Sequence, residues 1–240
     1  MNAAATTVRD IALEQPASIR VFEKFGIDYC CGGRKPLAEA CQERSLDLET
    51  VLAALETAGK GGSEAAQGWA SASLEGLCEH IVRTHHEYVR REIPRLWQLA
   101  QKVVARHGDT RPELVRMQQL IRDAGEDLIR HLGKEEQILF PSIVNMERNL
   151  SNCGPRSLGC FESVRKPIQV MMAEHDAAGD ALAQIRRLSH DFVPPEGACP
   201  TYIGFYRGLS EFEQDLHQHV HLENNILFPR AIEMDVARQA

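Results

Sequence analysis

From Leu74 onward, apolar residues recur every three or four positions through four long stretches: Leu74 to His107, Pro112 to Met146, Val164 to Ser189 and Tyr202 to Val236. That spacing belongs to helices with one face in a core. The breaks between them are marked by helix-ending chemistry. Gly108 to Arg111 leads into Pro112, Asn149 to Cys160 holds Gly154, Pro155 and Gly159, and Asp191 to Pro200 carries three prolines. Strand-like alternation is absent, so the pattern predicts an all-α protein built on an antiparallel four-helix bundle. Shorter helical patterns precede it at Val8 to Gln15, Ala17 to Phe25, Leu37 to Arg44 and Leu46 to Ala58, separated by Pro16, the Gly26 to Gly33 loop and Pro36. Between the two regions, Gly59 to Ser73 reads GKGGSEAAQGWASAS, the composition of a linker. The expected division is therefore a small helical domain over 1–60, a linker over 61–73 and the bundle over 74–240.

Polar residues interrupt the apolar seams at regular places. On the second stretch Met117, Ile121, Ala124, Leu128, His131, Glu135 and Ile138 step by four and three, and on the fourth Phe205, Leu209, Phe212, Leu216, His219, Glu223 and Ile226 do the same. Both polar pairs belong to an HxxxExxILFP segment that occurs twice, His131 to Pro141 and His219 to Pro229. Four residues apart on a helix, imidazole and carboxylate lie one turn apart on one face. His86 shares a seam with Val82, Val89, Ile93 and Leu96, and His175 shares one with Ile168, Met172, Gly179 and Leu182. Each half of the bundle thus supplies a histidine and, a similar distance later, a His-x3-Glu pair.

Buried unpaired carboxylates and imidazoles on apolar seams need compensation, and a cation provides it. Four histidines and two glutamates exceed the four ligands of a structural zinc and suit two metals with open positions. Imidazole with carboxylate favours iron, manganese, zinc or copper over the all-oxygen sites of calcium and magnesium. The expected centre is a di-iron site held by His86, His131, Glu135, His175, His219 and Glu223, with Glu135 and Glu223 bridging.

The other histidines sort by position. His217 and His221 lie about 200° around the helix from His219 and are expected on the outer face or supporting the ligands. His85 competes with His86, since helix rotation near the bundle end is not fixed by spacing. His80, His107 and His190 have no counterpart in the other half and read as surface or helix-end residues. Asn224 stands where Glu136 does in the other repeat, which argues against Glu136 as a ligand. Glu174 either supports a ligand or lines an access route, but reads more simply as a solvated surface acid.

The chain has 240 residues with a formal net charge of -7, which argues against nucleic-acid binding as its main activity. No apolar run approaches the length of a membrane span and the N-terminus lacks a signal-peptide layout, so a cytoplasmic protein is expected. Seven cysteines without a regular framework fit reduced thiols. The vicinal pair Cys30 and Cys31, followed by Gly32 and Gly33, can approach a metal, a cluster or a partner thiol, or can be a structural pair in a loop. Cys41, Cys78, Cys153, Cys160 and Cys199 show no metal-binding spacing.

DYCCGG at Asp28 to Gly33, HLGKEEQILFP at His131 to Pro141, AEHDAAG at Ala173 to Gly179 and HVHLENNILFP at His219 to Pro229 together resemble the Repair of Iron Centres family, also called YtfE, ScdA or DnrN proteins. The resemblance implies a ScdA-type N-terminal domain followed by a hemerythrin-like bundle, and its six ligands fall on the residues already chosen. It supports His86 over His85 through the position of Pro94. It further implies an oxo-bridged non-haem di-iron centre and a stress protein that restores iron-sulfur clusters damaged by nitric oxide or peroxide. Its partners would be damaged cluster proteins or an assembly scaffold, with nitric oxide as a small ligand and the chain a monomer or homodimer. Iron donation and reduction of nitric oxide at the centre both fit, with Cys30 and Cys31 as thiols for iron transfer or redox exchange. A third alternative is reversible binding of dioxygen or nitric oxide; oxygen-carrying hemerythrins resemble a five-histidine, two-carboxylate set, against four plus two here. The loop from Arg148 to Arg165 is longer than the family pattern suggests and adds Cys153 and Cys160.

Overall fold

The computed structural model describes residues 4–59, 68–152 and 163–239. Cys153, Cys160 and most of the expected linker lie outside them. The N-terminal region forms α1 (Val8–Glu14), α2 (Ser18–Phe25), α3 (Leu37–Glu43) and α4 (Leu48–Gly59). The Thr7 side chain caps α1 by accepting from the Asp10 N–H, and Gly26 ends α2 in the left-handed region at φ 65°. Val8, Phe22, Ile27, Tyr29, Leu37 and Val51 close a core of their own. The short helix α5 (Gly68–Ser71) is fastened to the bundle: Trp69 stacks on His80, and Arg230 donates to the carbonyls of Trp69 and Ala72.

Four rods follow. The first is α6 (Leu74–Ile81), a π-helical turn (Val82–His86) and α7 (Glu87–His107). The second is α8 (Pro112–Lys134), a π turn (Glu135–Leu139) and α9 (Phe140–Asn152). The third is the uninterrupted α10 (Arg165–Leu188), and the fourth is α11 (Pro200–His221), a π turn (Leu222–Leu227) and α12 (Phe228–Gln239). Pro112 and Pro200 open their helices, where the missing N–H is harmless. The described residues contain no strand, as the apolar periodicity predicts.

The bundle core is divided. One apolar cluster gathers Leu96, Val103, Met117, Leu128, Phe205 and Leu209; another gathers Leu77, Ile81, Ile143, Ile168, Leu227 and Phe228. His86, His131, Glu135, His175, His219 and Glu223 fall between the two in every rod, and all are buried.

The π turns change the register of the rods. An i to i+5 turn takes up an extra residue, so positions beyond it rotate relative to an ideal helix. This overturns one seam position: Ile138, expected in the core, is 47% exposed, whereas Leu139 is 2% exposed and takes its place. The widened turns also explain the prolines that follow. Pro141 and Pro229 would each press on the carbonyl four residues back, at Gln137 and Asn225. Both of those residues lie in π turns. If the π turn sets the register, Leu139→Ala should lower unfolding free energy by about 2–5 kcal/mol while Ile138→Ala changes it by about 0.5 kcal/mol or less. Equal losses in urea unfolding would restore the ideal-helix register.

Candidate metal centre

The six buried residues assemble into two overlapping groups, His86, Glu135, His219 and Glu223, and His131, Glu135, His175 and Glu223, with the donor atoms of each group within 4.8 Å of one another. Nε2 of His86 lies 3.2 Å from Nε2 of His219, and Nε2 of His175 lies 2.9 Å from Nε2 of His131. The carboxylates divide their oxygens between the groups. Glu135 Oε2 is 3.4 Å from His86 and its Oε1 is 3.3 Å from His131. Glu223 Oε1 is 3.0 Å from His219, and its Oε2 is 3.1 Å from His175. Donor atoms bound to one ion at 2.0–2.2 Å stand roughly 3 Å apart, so these spacings fit two ions sharing two carboxylates.

The remote nitrogens explain why the near ones face inward with lone pairs. Nδ1 of His86 donates to Glu136 Oε1 at 2.7 Å, that of His131 to Glu174 Oε2 at 2.9 Å, and that of His175 to Asn224 Oδ1 at 2.9 Å. An imidazole that keeps its proton on Nδ1 presents a bare Nε2. Bare nitrogens then confront one another and the carboxylates, and both Glu135 oxygens and Glu223 Oε2 have no hydrogen-bond partner among the described residues. Such a cluster needs positive charge at its centre.

Protons supply it when no metal does. Burial opposes charge on His86, but Glu135 and Glu223 outweigh it and push its pKa up to about 10; burial likewise opposes charge on His131, and Glu135 outweighs it there to give about 9. Burial dominates at His219, whose pKa is lowered. Glu223 is held well below the usual carboxylate range because His219, His175 and His86 outweigh its burial.

The supports were the part that spacing did not reveal. Glu136 and Asn224 are equivalent positions in the repeat, and neither is placed as a ligand: each holds the histidine of the neighbouring rod. Glu174, for which the sequence leaves both a supporting role and a surface position, is 34% exposed and is bound to His131 and Lys134. Phe140 and Phe228, the phenylalanines of the two ILFP segments, stack on His86 at 5.7 Å and His175 at 6.0 Å. His85 is buried too, but its Nδ1 turns to Asp215 Oδ1, and it joins neither group.

The N-terminal region reaches this layer through its vicinal cysteines. Asp28 Oδ1 accepts from the N–H groups of Cys30 and Cys31 and Oδ2 from that of Gly32, which fixes the loop. A Cβ on Gly33 would sit 2.6 Å from the Tyr29 carbonyl, so only glycine fits the turn. The Cys31 thiol lies 3.6 Å from the backbone carbonyl of His175 and packs against Gly179. Contact with Cys31, together with burial and Asp28, pushes the Cys30 thiol well above its ordinary pKa. His217 and His221 meet the edge of Tyr29. His221, expected on the outer face or beside the ligands, is buried under this loop because the N-terminal region covers that side of the fourth rod. Its Nδ1 accepts from Asn225, which also donates to the Tyr29 carbonyl, and burial lowers its pKa to about 4.

Two family matches divide the chain along the same lines. The ScdA N-terminal domain, a domain of unknown function, covers residues 4–59, and the hemerythrin HHE cation binding domain covers residues 79–231. The iron-sulfur cluster repair protein YtfE of Yersinia pseudotuberculosis serotype O:1b is 38% identical over 226 residues, 92% of this chain and 94% of that protein. This chain belongs to the YtfE family. The YtfE proteins of Dickeya chrysanthemi and Escherichia coli O17:K52:H18 are 38% and 36% identical, each covering 93% of this chain and 95% and 94% of their own length. Membership of the YtfE family agrees with the helical bundle and with the His and Glu groups as a metal site of the hemerythrin kind. No described helix is long and apolar enough to cross a membrane.

Metal and protons compete for the same nitrogens in this YtfE-family site. A divalent metal added to the metal-free chain at pH 8 should displace about two protons, from His86 and His131. A pH indicator in dilute buffer reads the acidification, and its absence would show that these rings are not protonated when metal-free. The same charges stabilise the metal-free fold fully below about pH 6.5. That contribution fades as the pH rises through about 9 to about 10.

Proposed function

We propose that the chain is a di-iron protein that repairs iron-sulfur clusters damaged by nitrosative or oxidative stress, and that it does so by supplying iron. The proposal includes two irons per chain, an oxo bridge, and Glu135 and Glu223 as bridging carboxylates. The observation that carries it is the sharing of both carboxylates between two pairs of imidazoles. Each position is then offered two nitrogens and two oxygens. A set this small leaves coordination positions open, which favours an ion that can be exchanged. The relatives named iron-sulfur cluster repair proteins, matched along nearly their whole length, point to the same use.

Bound iron would supply Lewis-acid and one-electron chemistry; the protein's part is to hold, orient and release it. Glu136, Glu174 and Asn224 set the orientation of His86, His131 and His175 by accepting their Nδ1 protons. Cys31, which packs on the helix that carries His175, and its neighbour Cys30 would receive iron or exchange electrons. Damaged cluster proteins or their assembly scaffold are the proposed partners, and the cytoplasm the proposed compartment.

A second reading, binding or reduction of nitric oxide to nitrous oxide, draws support from the same open positions. Anaerobic mixing of the reduced protein with nitric oxide separates the two. Recovery of a damaged cluster enzyme with matching loss of bound iron is expected; many turnovers of nitrous oxide with iron retained would replace donation by catalysis.

The ligand set has its own check. Glu135→Ala and Glu223→Ala should each remove most of the iron from the purified protein, whereas His217→Ala should leave iron content near that of the parent. Purification with one tightly bound zinc and no iron would end the di-iron proposal.

A further inference from the structure

The two halves of the bundle correspond residue by residue at the centre: His86 to His175, His131 to His219, Glu135 to Glu223, and Glu136 to Asn224. The supports of the imidazoles obey the same correspondence until the last. Glu136 holds His86 from the second rod, and Asn224 holds His175 from the fourth. Glu174, immediately before His175, holds His131 and is itself gripped by Lys134. The residue immediately before His86 is His85, and it does not hold His219.

Instead the His85 ring lies alongside His219, with centroids 5.6 Å apart and planes 6° from parallel. Its Nδ1 is engaged by Asp215 Oδ1 at 3.0 Å. The Nδ1 of His219 is buried and has no hydrogen-bond partner among the described residues. Three imidazoles have an acceptor on the remote nitrogen; the fourth has none among the described residues, and the side chain in the corresponding position, His85, stacks parallel to its ring.

An acceptor on the remote nitrogen fixes the tautomer and orientation of a ligating histidine and makes its metal-facing nitrogen more basic. The position between His131 and His175 has both rings held in this way. The position between His86 and His219 has one. Glu135 and Glu223 give one oxygen to each position, so the shared carboxylates do not offset the difference. Resting on the two-metal reading above, we propose that the two positions are unequal, that the His86–His219 position binds its ion more weakly and yields it first, and that His85 is the positioning residue that sets the inequality.

Solvent reaches the two positions by different routes: a cleft of about 480 Å³ lined by His131, Lys134 and Glu174 opens beside the other position, and one of about 740 Å³ reaches Glu136 and Phe140 beside His86. The test is therefore an equilibrium measurement, which access does not bias. Metal-free protein is given two equivalents of ferrous iron without oxygen, its iron content is measured, and it is then dialysed against rising concentrations of a ferrous chelator. Iron should leave in two equal steps, the first at roughly tenfold lower chelator than the second, the usual scale of a lost supporting hydrogen bond. Glu136→Gln should weaken the first step alone and Glu174→Gln the second alone, which assigns the steps to the positions. His85→Glu, which gives His219 the carboxylate that Glu174 gives His131, should move the first step toward the second. His85→Gln supplies an acceptor without new charge and should act in the same direction if the glutamate variant does not fold. A single step for both irons, or an effect of Glu174→Gln on the first step, overturns the inequality. Uptake of one iron or none before chelator is added defeats the two-metal reading instead, so the two failures appear in different measurements.

Discussion

Two fully buried carboxylates, each offering one oxygen to either pair of imidazoles, set the terms for the rest of this molecule. Placed in an apolar bundle core, they are tolerable only where positive charge stands between them. That requirement explains why the core is split into two apolar clusters, why three of the four rods widen into π turns at the polar layer, and why the imidazoles are braced from behind. The phenylalanines of the ILFP segments complete the layer by covering His86 and His175 on the side of the second cluster.

Much of this was legible from the residues. The three-and-four spacing gave the rods, and the seams put His86, His131, Glu135, His175, His219 and Glu223 inside, where the structure brings them together. Of the supports, the sequence offers Glu174 as one reading but not Glu136 and Asn224, because those two positions differ between the repeats. Their signal was position: each follows a seam glutamate directly, where a helix turns a side chain toward the neighbouring rod. The place given to Ile138 failed for a different reason. Apolar periodicity assumes a constant pitch, and a π turn changes pitch without changing composition. Pro141 and Pro229 marked the place, since a proline within a rod implies an adjusted turn before it.

His221 shows the limit of reading one helix at a time. Its angle from the ligand seam was correctly read, but what lies on that side is the DYCCGG loop, brought there from a distant part of the chain. The vicinal cysteines are thus not an independent feature of a small domain. Through Cys31 on the carbonyl of His175 and Tyr29 on Asn225, the loop rests on two of the rods that build the polar layer.

Each position takes residues from both halves of the bundle: His86 and Glu135 with His219 and Glu223, or His131 and Glu135 with His175 and Glu223. Neither helical hairpin can fill a position alone. An ion bound there ties the first half of the chain to the second as a cross-link would, without a covalent bond. A metal ion would then be bound only after the chain has closed on itself, since a nascent or half-folded chain has no complete place to hold it.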